Sequence, residues 1–547
     1  MTSTDLIELN PSLCAKCSQI DLGRFLNPAS YADNTSKEAY SYSLFDLDHL
    51  TAASQCELCR FFLQLRDWSR DGSNKGFKLH AFLTSQVFDV WHHKALEESV
   101  FLGILSQSWK HENEEDKSVR SCSLYFAEAV DNPSRISARV VTPSVNYPLL
   151  RSWLDFCECY HSCNCGQPRS GSLPSELPRL RLIDCETRTL KAAEDLLPTM
   201  QYVTLSYVWG APGSETVDPD ADRLPDALPL VVDDAMQVTI GLGFRYLWVD
   251  RYCISQADSV ERANQIGKMN IVYAHSAVTI IATAGDDASY GLPGVSARPR
   301  LPQPRVTVGS RTLVSTLLNV KQEILGSVWN TRGWTFQEGM LARRRLVFTE
   351  HQAYFQCNTM WCQESISAPL HVLHEDDYSE FAQLGLRPSD TLVRGLPRAF
   401  NPREAHLNPS WWELLQSRLN QYSVRNFTFE GDALSAFRGV LDALGPRRGE
   451  RGDDDDHEGR ESGPMPFFCG LPLGKSDDCP KGDIVSSLTW RFWGEMGNLR
   501  RRSAFPSWAW VGYKTASEVT RRSGRHGFEF DRNALQYGRF RASAESA

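Results

Sequence analysis

The sequence predicts an α/β protein organised around a parallel sheet, and three observations predict it. Three short runs of β-formers, Tyr202–Tyr207, Tyr246–Val249 and Val278–Ala282, follow one another through the middle of the chain. Helical signals lie between them, and strand–helix–strand alternation argues parallel pairing through right-handed crossovers. Each run also closes on residues that stop a strand and open a loop: Trp209-Gly210, Asp250, and Gly285-Asp286-Asp287.

The elements follow in order. Tyr202–Tyr207 is the first strand, and a Pro/Gly/Asp-rich loop runs from Ala211 to about Pro229. Asp233 is an N-cap candidate for a short helix ending near Gly241 or Gly243. Tyr246–Val249 is the second strand. Asp258 then caps a helix whose apolar positions Ile266, Met269, Tyr273 and Ala277 step at helical spacing. Val278–Ala282 is the third strand. Farther on, Arg345–Phe348 and Ala353–Cys357 flank the polar turn Thr349–Gln352 and predict a hairpin. Ligands of open α/β sheets bind outside the carboxyl ends of the strands. That rule points to Trp209-Gly210, to Asp250 through Gln256, and to Gly285-Asp286.

Composition sets the outer bounds. A chain of 547 residues has room for about three to five domains. The hydrophobic share is 41%, or about 48% with the 36 glycines, an ordinary globular value. Lys and Arg number 58 against 67 Asp and Glu, a net charge of −9. Such mild acidity argues against non-specific phosphate-backbone binding, which needs a basic face, so no nucleic-acid partner is expected. The N-terminus MTSTDLIELNPSLCAKC lacks a basic n-region and an apolar stretch of about 7–15 residues. No apolar run approaches the ~18 residues of a membrane span. The expectation is a cytoplasmic protein in a reducing compartment, whose paired cysteines are metal ligands or buried thiols rather than bridges.

Four regions emerge: a Cys-rich, zinc-binding candidate region at 1–75; an α+β connecting region at 76–177; the alternating region at 178–365; and a Trp- and Arg-rich α+β region at 366–547. The last holds an acidic insertion at 447–464, including Asp453–Asp456, with almost nothing apolar to offset its ordering entropy; a disordered loop is expected there. Trp490, Trp493, Trp508 and Trp510 are expected to pack a core, and Arg500–Arg502 to lie on a solvated face.

The 15 cysteines cluster. Cys14 and Cys17, then Cys56 and Cys59, form C-x2-C, 38 residues, C-x2-C. Zn2+ favours four soft ligands in a tetrahedron, and each C-x2-C turn supplies two thiolates to one side of the ion. Four thiolates leave no open position for water, so such a site is structural. The other reading is two pairs of ordinary cysteines, the second on an amphipathic helix starting near Cys56. A second cluster, Cys157, Cys159, His161, Cys163 and Cys165, offers five soft ligands in nine residues. One ion can use that spacing only where the chain turns sharply; otherwise it is a partly buried helix–loop junction.

Five stretches resemble one family: Arg181-Leu182-Ile183-Asp184; Leu205-Ser206-Tyr207-Val208-Trp209-Gly210; Leu247 through Gln256 (LWVDRYCISQ); Gln265-Ile266-x-x-Met269-x-x-Val272-Tyr273-x-x-x-Ala277; and Arg332-Gly333-Trp334-Thr335-Phe336-Gln337-Glu338. In this order and spacing they resemble the fungal heterokaryon incompatibility (HET) domain over about residues 178–365. The tail is similar to long members of that family at Tyr422-Ser423-x-Arg425, Asp432 and Pro506–Trp510. Val208 and Ser255 depart from the commoner Cys and Asp or Asn. The resemblance implies a role in nonself recognition and regulated cell death, with a protein partner or self-association on activation. It also implies a remote relation to TIR domains, hence a TIR-like or flavodoxin-like parallel sheet. Some TIR domains cleave the nicotinamide–ribose bond of NAD with a glutamate, which makes NAD a candidate substrate. The alternatives are a non-enzymatic interaction or oligomerisation module, or a metal-stabilised adaptor.

Under that reading Glu261 and Glu338 are the catalytic candidates, and Trp209, Gly210, Asp250 and Gln256 the ligand-binding ones. Each has a structural counterpart. Asp258-x-x-Glu261 is close to a capping box. Glu338 could pair with Arg343–Arg345, a strand-end aspartate often caps the next turn, and Trp209 could seal a sheet edge. Cys253 reads as a buried thiol rather than a nucleophile paired with His275. Phosphate-loop, HExxH, GxSxG and GxGxxG signatures are missing from the sequence.

Overall fold

The computed structural model describes residues 13–31, 42–51, 54–65, 76–84, 87, 96–106, 125–166, 177, 179–196, 200–210, 222–254, 259–317, 320–374, 411–444, 467–468, 471–472, 490–493, 499–506, 509–515 and 527–530. The acidic insertion, Gln256, Asp258 and Trp508 lie outside the described residues.

The central element is an eight-stranded mixed sheet: β1 (Arg181–Asp184), β2 (Thr189–Ala192), β3 (Tyr202–Ser206), β4 (Tyr246–Trp248), β5 (Val278–Ala282), β6 (Arg344–Phe348), β7 (Ala353–Cys357) and β8 (Trp361–Gln363). Its spatial order is β8-β7-β6-β5-β3-β4-β1-β2. The three strands read from the sequence lie side by side and parallel, with Val203 opposite Leu247 and Leu205 opposite Ile280. β6 extends the parallel set, Ile281 facing Val347. β3, β5 and β6 are buried along their whole length, as strands covered on both faces must be. Both edges are antiparallel: β6–β7–β8 on one side, including the expected hairpin, and β4–β1–β2 on the other.

Among the four parallel strands the order is second, first, third, fourth. The chain therefore reverses its direction of travel between β3 and β5, which is a topological switch point. Right-handed crossovers put α1 (Leu230–Gly241) on one face, and α2 (Ser259–Ile266) and α3 (Met269–His275) on the other. α4 (Gly333–Leu341), which precedes β6, packs beside α3.

Two helix expectations need correction. α1 begins after Pro229, so Asp233 sits inside its first turn and pairs with Arg188 at 2.8 Å instead of capping it. The single helix expected before β5 is two, broken at Gly267-Lys268, and Ala277 falls beyond its end.

A second sheet of six antiparallel strands takes residues 42–46, 77–83, 100–106 and 125–128, and is completed by the hairpin 305–308/311–315 from the β5–β6 connection. It runs across the boundaries drawn at 75 and 177. The helix Glu57–Leu65 buries Leu58, Phe61, Phe62 and Leu65 in the core that contains Leu79, Leu102, Phe126 and Leu313 of this sheet. At the other end of the chain, α5 (Trp411–Ser423) and α6 (Asp432–Leu444) bury Leu415, Leu419, Tyr422, Phe437 and Val440 with Phe336 and Met340 of α4 and with Trp510. Arg502, expected on a solvated face, is buried against the Phe427 ring and donates to the Val511 and Tyr513 carbonyls. Among the described residues no helix is long and apolar enough to cross a membrane.

Candidate functional site

The switch point gathers chemistry from four elements. β3 ends on Ser206, whose Oγ accepts the Trp329 indole N–H at 2.7 Å and donates to Glu338 Oε2 at 2.5 Å. Glu338 comes from α4 and is only 5% exposed. The Tyr273 hydroxyl, reaching over from α3, donates to the Leu205 carbonyl at 3.2 Å and lies beside the Glu338 carboxyl group. Asp250, two residues past β4, accepts the Arg251 backbone N–H at 2.7 Å and the Trp209 indole N–H at 3.0 Å. Trp209 itself is 39% exposed. The aspartate thus holds a partly exposed indole beside the carboxyl ends of the strands.

Two carboxyl groups here are pushed toward neutrality. Burial, and then the charge of Asp250, raise the Glu338 pKa to about 7, against the hydrogen bond from Ser206 and the field of Arg332. Burial raises Asp250 to about 6, against the N–H groups of Arg251 and Trp209 and the field of Arg332. Tyr207 lies beside them. Burial and the Asp250 charge hold its hydroxyl well above the usual range, and that buried oxygen has no hydrogen-bond partner among the described residues. Perturbed acids at a topological switch point mark a functional-site candidate.

The loops around the crevice approach each other closely. Gly210 adopts φ +83°, and a Cβ there would lie 2.9 Å from Asp287 Cβ on the loop after β5. Only glycine takes that conformation without penalty and leaves room for the neighbouring loop.

The sequence candidates separate. Trp209, Gly210, Asp250 and Glu338 gather at the carboxyl ends of the parallel strands. Glu338 does not pair with the arginine run. Arg345 instead donates to the Gly339 and Met340 carbonyls, and Arg343 to those of Cys165, His275 and Ser276. Glu261 lies on α2, bonded to Gln265 at 2.9 Å and 3.6 Å from Arg179. It lines a different cavity, of about 350 Å³, with Trp248, Ile254, Lys268 and Val272. Cys253 is a buried thiol pushed up to about 12 by its burial, which is the inert reading. Ser206 and Arg332 stand inside the family-like motifs, with no feature of their own that marks them as site residues. Tyr273 reads in the sequence as a packing position of a helix and Trp329 carries no local signal; only the packing of α3 and of the 328–331 turn brings them in.

The N-terminal cysteines also converge, with one change of membership. Cys14, Cys17, Cys59 and His49 place their ligand atoms within 4.8 Å of one another. Cys59 Sγ is 3.7 Å from Cys14 Sγ and 3.4 Å from Cys17 Sγ, and His49 Nε2 is 3.4 Å from Cys17 Sγ. Tetrahedral zinc with ordinary bond lengths sets S···S edges of about 3.8 Å and S···N edges of about 3.5 Å. The donor set fits that ion. Cys56 is buried beside Cys17 and Cys59, within hydrogen-bonding reach of both, but outside the tightest four. His49 was missed because it stands alone in the sequence, 32 residues from Cys17. Its neighbour across the fold, not along the chain, gives it meaning.

No curated protein and no solved structure matches the chain. One family model does, that of the heterokaryon incompatibility protein (HET), over residues 202–338, about a quarter of the chain. The match opens on β3 and closes on Glu338, so it spans the whole of the switch-point crevice. This segment is therefore similar to a heterokaryon incompatibility domain.

Proposed function

We propose that the domain around residues 202–338 is an effector acting in heterokaryon incompatibility and regulated cell death, and that its switch-point crevice hydrolyses the nicotinamide–ribose bond of NAD. The family match supports the first part. The second is carried by one observation, the acid pair Asp250 and Glu338 beside an accessible tryptophan. The second-first-third-fourth strand order supports a TIR-like or flavodoxin-like sheet, since flavodoxin-like sheets begin with that order.

The chemistry follows from charge. NAD and water give nicotinamide, ADP-ribose and a proton. The pyridinium leaves as a neutral ring, and positive charge moves onto the ribose as the bond breaks. A carboxylate in a water-poor site stabilises that charge strongly, because its field is little screened. With a pKa of about 7, Glu338 is close to half ionised at neutral pH, and a bound cation draws it further to the anion. Trp209 offers its ring face to the planar cation, and Asp250 holds that ring in place. Cys14, Cys17, Cys59 and His49 hold a structural zinc that pins the helix Glu57–Leu65 to the N-terminal turn. Activation proceeds through self-association or a protein partner, which concentrates the domain.

The test uses the full chain with NAD, following nicotinamide by chromatography. Release is expected, and Glu338→Gln should lower it by about 10²–10³-fold, the usual scale for a transition-state electrostatic contact. Glu261→Ala, in the separate cavity, should leave the rate within a few-fold. No release at high protein concentration, with or without a crowding agent, would leave the crevice as part of an interaction or oligomerisation module.

A further inference from the structure

A second cluster of soft donors lies far from the N-terminal one. The helix Tyr147–Tyr160 ends at His161, and the chain turns at once into the short helix Ser162–Cys165. That sharp turn stacks Cys157, His161 and Cys165 in space. The fourth member, Cys357, comes from the end of β7, 196 residues from His161. All four residues are buried, and their ligand atoms lie within 4.8 Å of one another. Cys159 is exposed, so it does not contribute.

The surroundings supply what a metal site needs. His374 Nδ1 sits 2.5 Å from the Leu370 carbonyl, which can only accept, so Nδ1 carries the proton. In neutral His374, Nε2 is then an acceptor, and it lies 2.8 Å from His161 Nε2. His161 therefore donates from Nε2 and keeps a bare lone pair on Nδ1. That nitrogen faces Cys357 Sγ at 3.5 Å, close to the S···N edge of about 3.5 Å in a zinc tetrahedron. This chain of hydrogen bonds fixes the metal-binding tautomer from behind, as outer partners of ligating histidines do.

The sulfurs are prepared as acceptors. Cys357 Sγ receives the backbone N–H groups of Thr359 and Met360 at 3.3 and 3.2 Å. Cys157 Sγ receives the Arg344 Nε–H at 3.1 Å. Three thiolates and one neutral imidazole around Zn2+ carry a net charge of −1, and the buried Arg344 guanidinium offsets it. A disulfide is a poorer use of the same residues: three sulfurs leave one unpaired and give the oriented imidazole nothing to bind.

We propose that Cys157, His161, Cys165 and Cys357 form a second, structural zinc site, closed to water, with His374 and Arg344 as its outer partners. It fastens the helix preceding the central domain to the β6–β7 hairpin of the sheet. The N-terminal zinc site plays no part in this inference.

The experiment measures zinc per chain in purified full-length protein, with X-ray absorption for the ligand set. Two equivalents are expected, with an average shell of about three sulfurs and one nitrogen. Cys59→Ser should lose one equivalent and keep the other; Cys357→Ser should lose the one that Cys59→Ser keeps. Should Cys357→Ser fail to fold, the Cys14→Ser/Cys59→Ser chain loaded with cobalt still decides. It should bind one equivalent and show thiolate-to-cobalt charge transfer. A folded wild-type chain with no zinc, or with one equivalent lost entirely in Cys59→Ser, overturns the second site. A single equivalent that survives Cys59→Ser upholds it and removes the N-terminal site instead.

Discussion

Ser206 and Glu338, 132 residues apart in sequence, share a hydrogen bond of 2.5 Å at the carboxyl end of the central parallel strand. The contact joins the two ends of the family-matched segment. It also determines how a buried acid is held: by a hydroxyl whose own lone pair is occupied by Trp329, and beside a second acid, Asp250.

That arrangement predicts a pH-dependent stability. Glu338 ionises near its ordinary 4.5 when unfolded and at about 7 in the fold. Between those values the folded chain holds the extra proton, so stability is greatest below the window and falls as pH rises through it. The shift corresponds to about 3 kcal/mol. Asp250, raised from 3.8 to about 6, adds a term of the same sign at lower pH. Urea unfolding at pH 5 and pH 8 should show the wild type losing stability, and Glu338→Gln losing less. Equal losses in the two proteins would contradict the burial of a neutral acid.

The C-terminal region holds the helix that carries Glu338. Arg425 donates to the Arg332 carbonyl at 2.9 Å, to Thr335 Oγ1 at 3.2 Å and to Asn330 Oδ1 at 2.8 Å, with its guanidinium 4.8 Å from the centre of the Phe336 ring. Arg425→Ala should cost about 2–4 kcal/mol, since it leaves buried acceptors unpaired. Thermal unfolding measures that loss, and nicotinamide release should fall with it as Arg332 and α4 loosen.

Gly210→Ala tests the crevice wall. A left-handed alanine costs roughly 1–2 kcal/mol, and its methyl must displace the Asp287 loop. Stability should drop by at least that amount and NAD turnover should fall. A drop no larger than that would mean that the loop yields freely, and an unchanged melting temperature would contradict the left-handed conformation at Gly210.

At the N-terminal cluster the fourth donor distinguishes sequence from space. His49→Ala is expected to remove zinc from that site, and Cys56→Ser to retain it. Metal analysis of the two variants checks the assignment, and the reverse result gives the position to Cys56.

Sequence by itself determined the parallel core and the stretches that form the crevice. Runs of β-formers closed by glycine or aspartate are local, and they recur where strands must end and loops must turn. Trp209, Gly210, Asp250 and Glu338 were legible for the same reason: each stands at a strand end or inside a motif. Tertiary structure alone decided the rest. It split the helix before β5, buried Arg502, and sent Glu261 to another cavity. It set Glu338 on Ser206 instead of the neighbouring arginines, because those arginines donate to backbone carbonyls at the end of α4, after α3 and at Cys165. It also brought His49 to Cys17, and Cys357 to His161. Metal-ligand spacing can be read along a chain only when the ligands share a turn. Here His49 and Cys59 reach Cys17 from 32 and 42 residues away, and Cys357 reaches His161 from 196, and only chain packing brings them within reach.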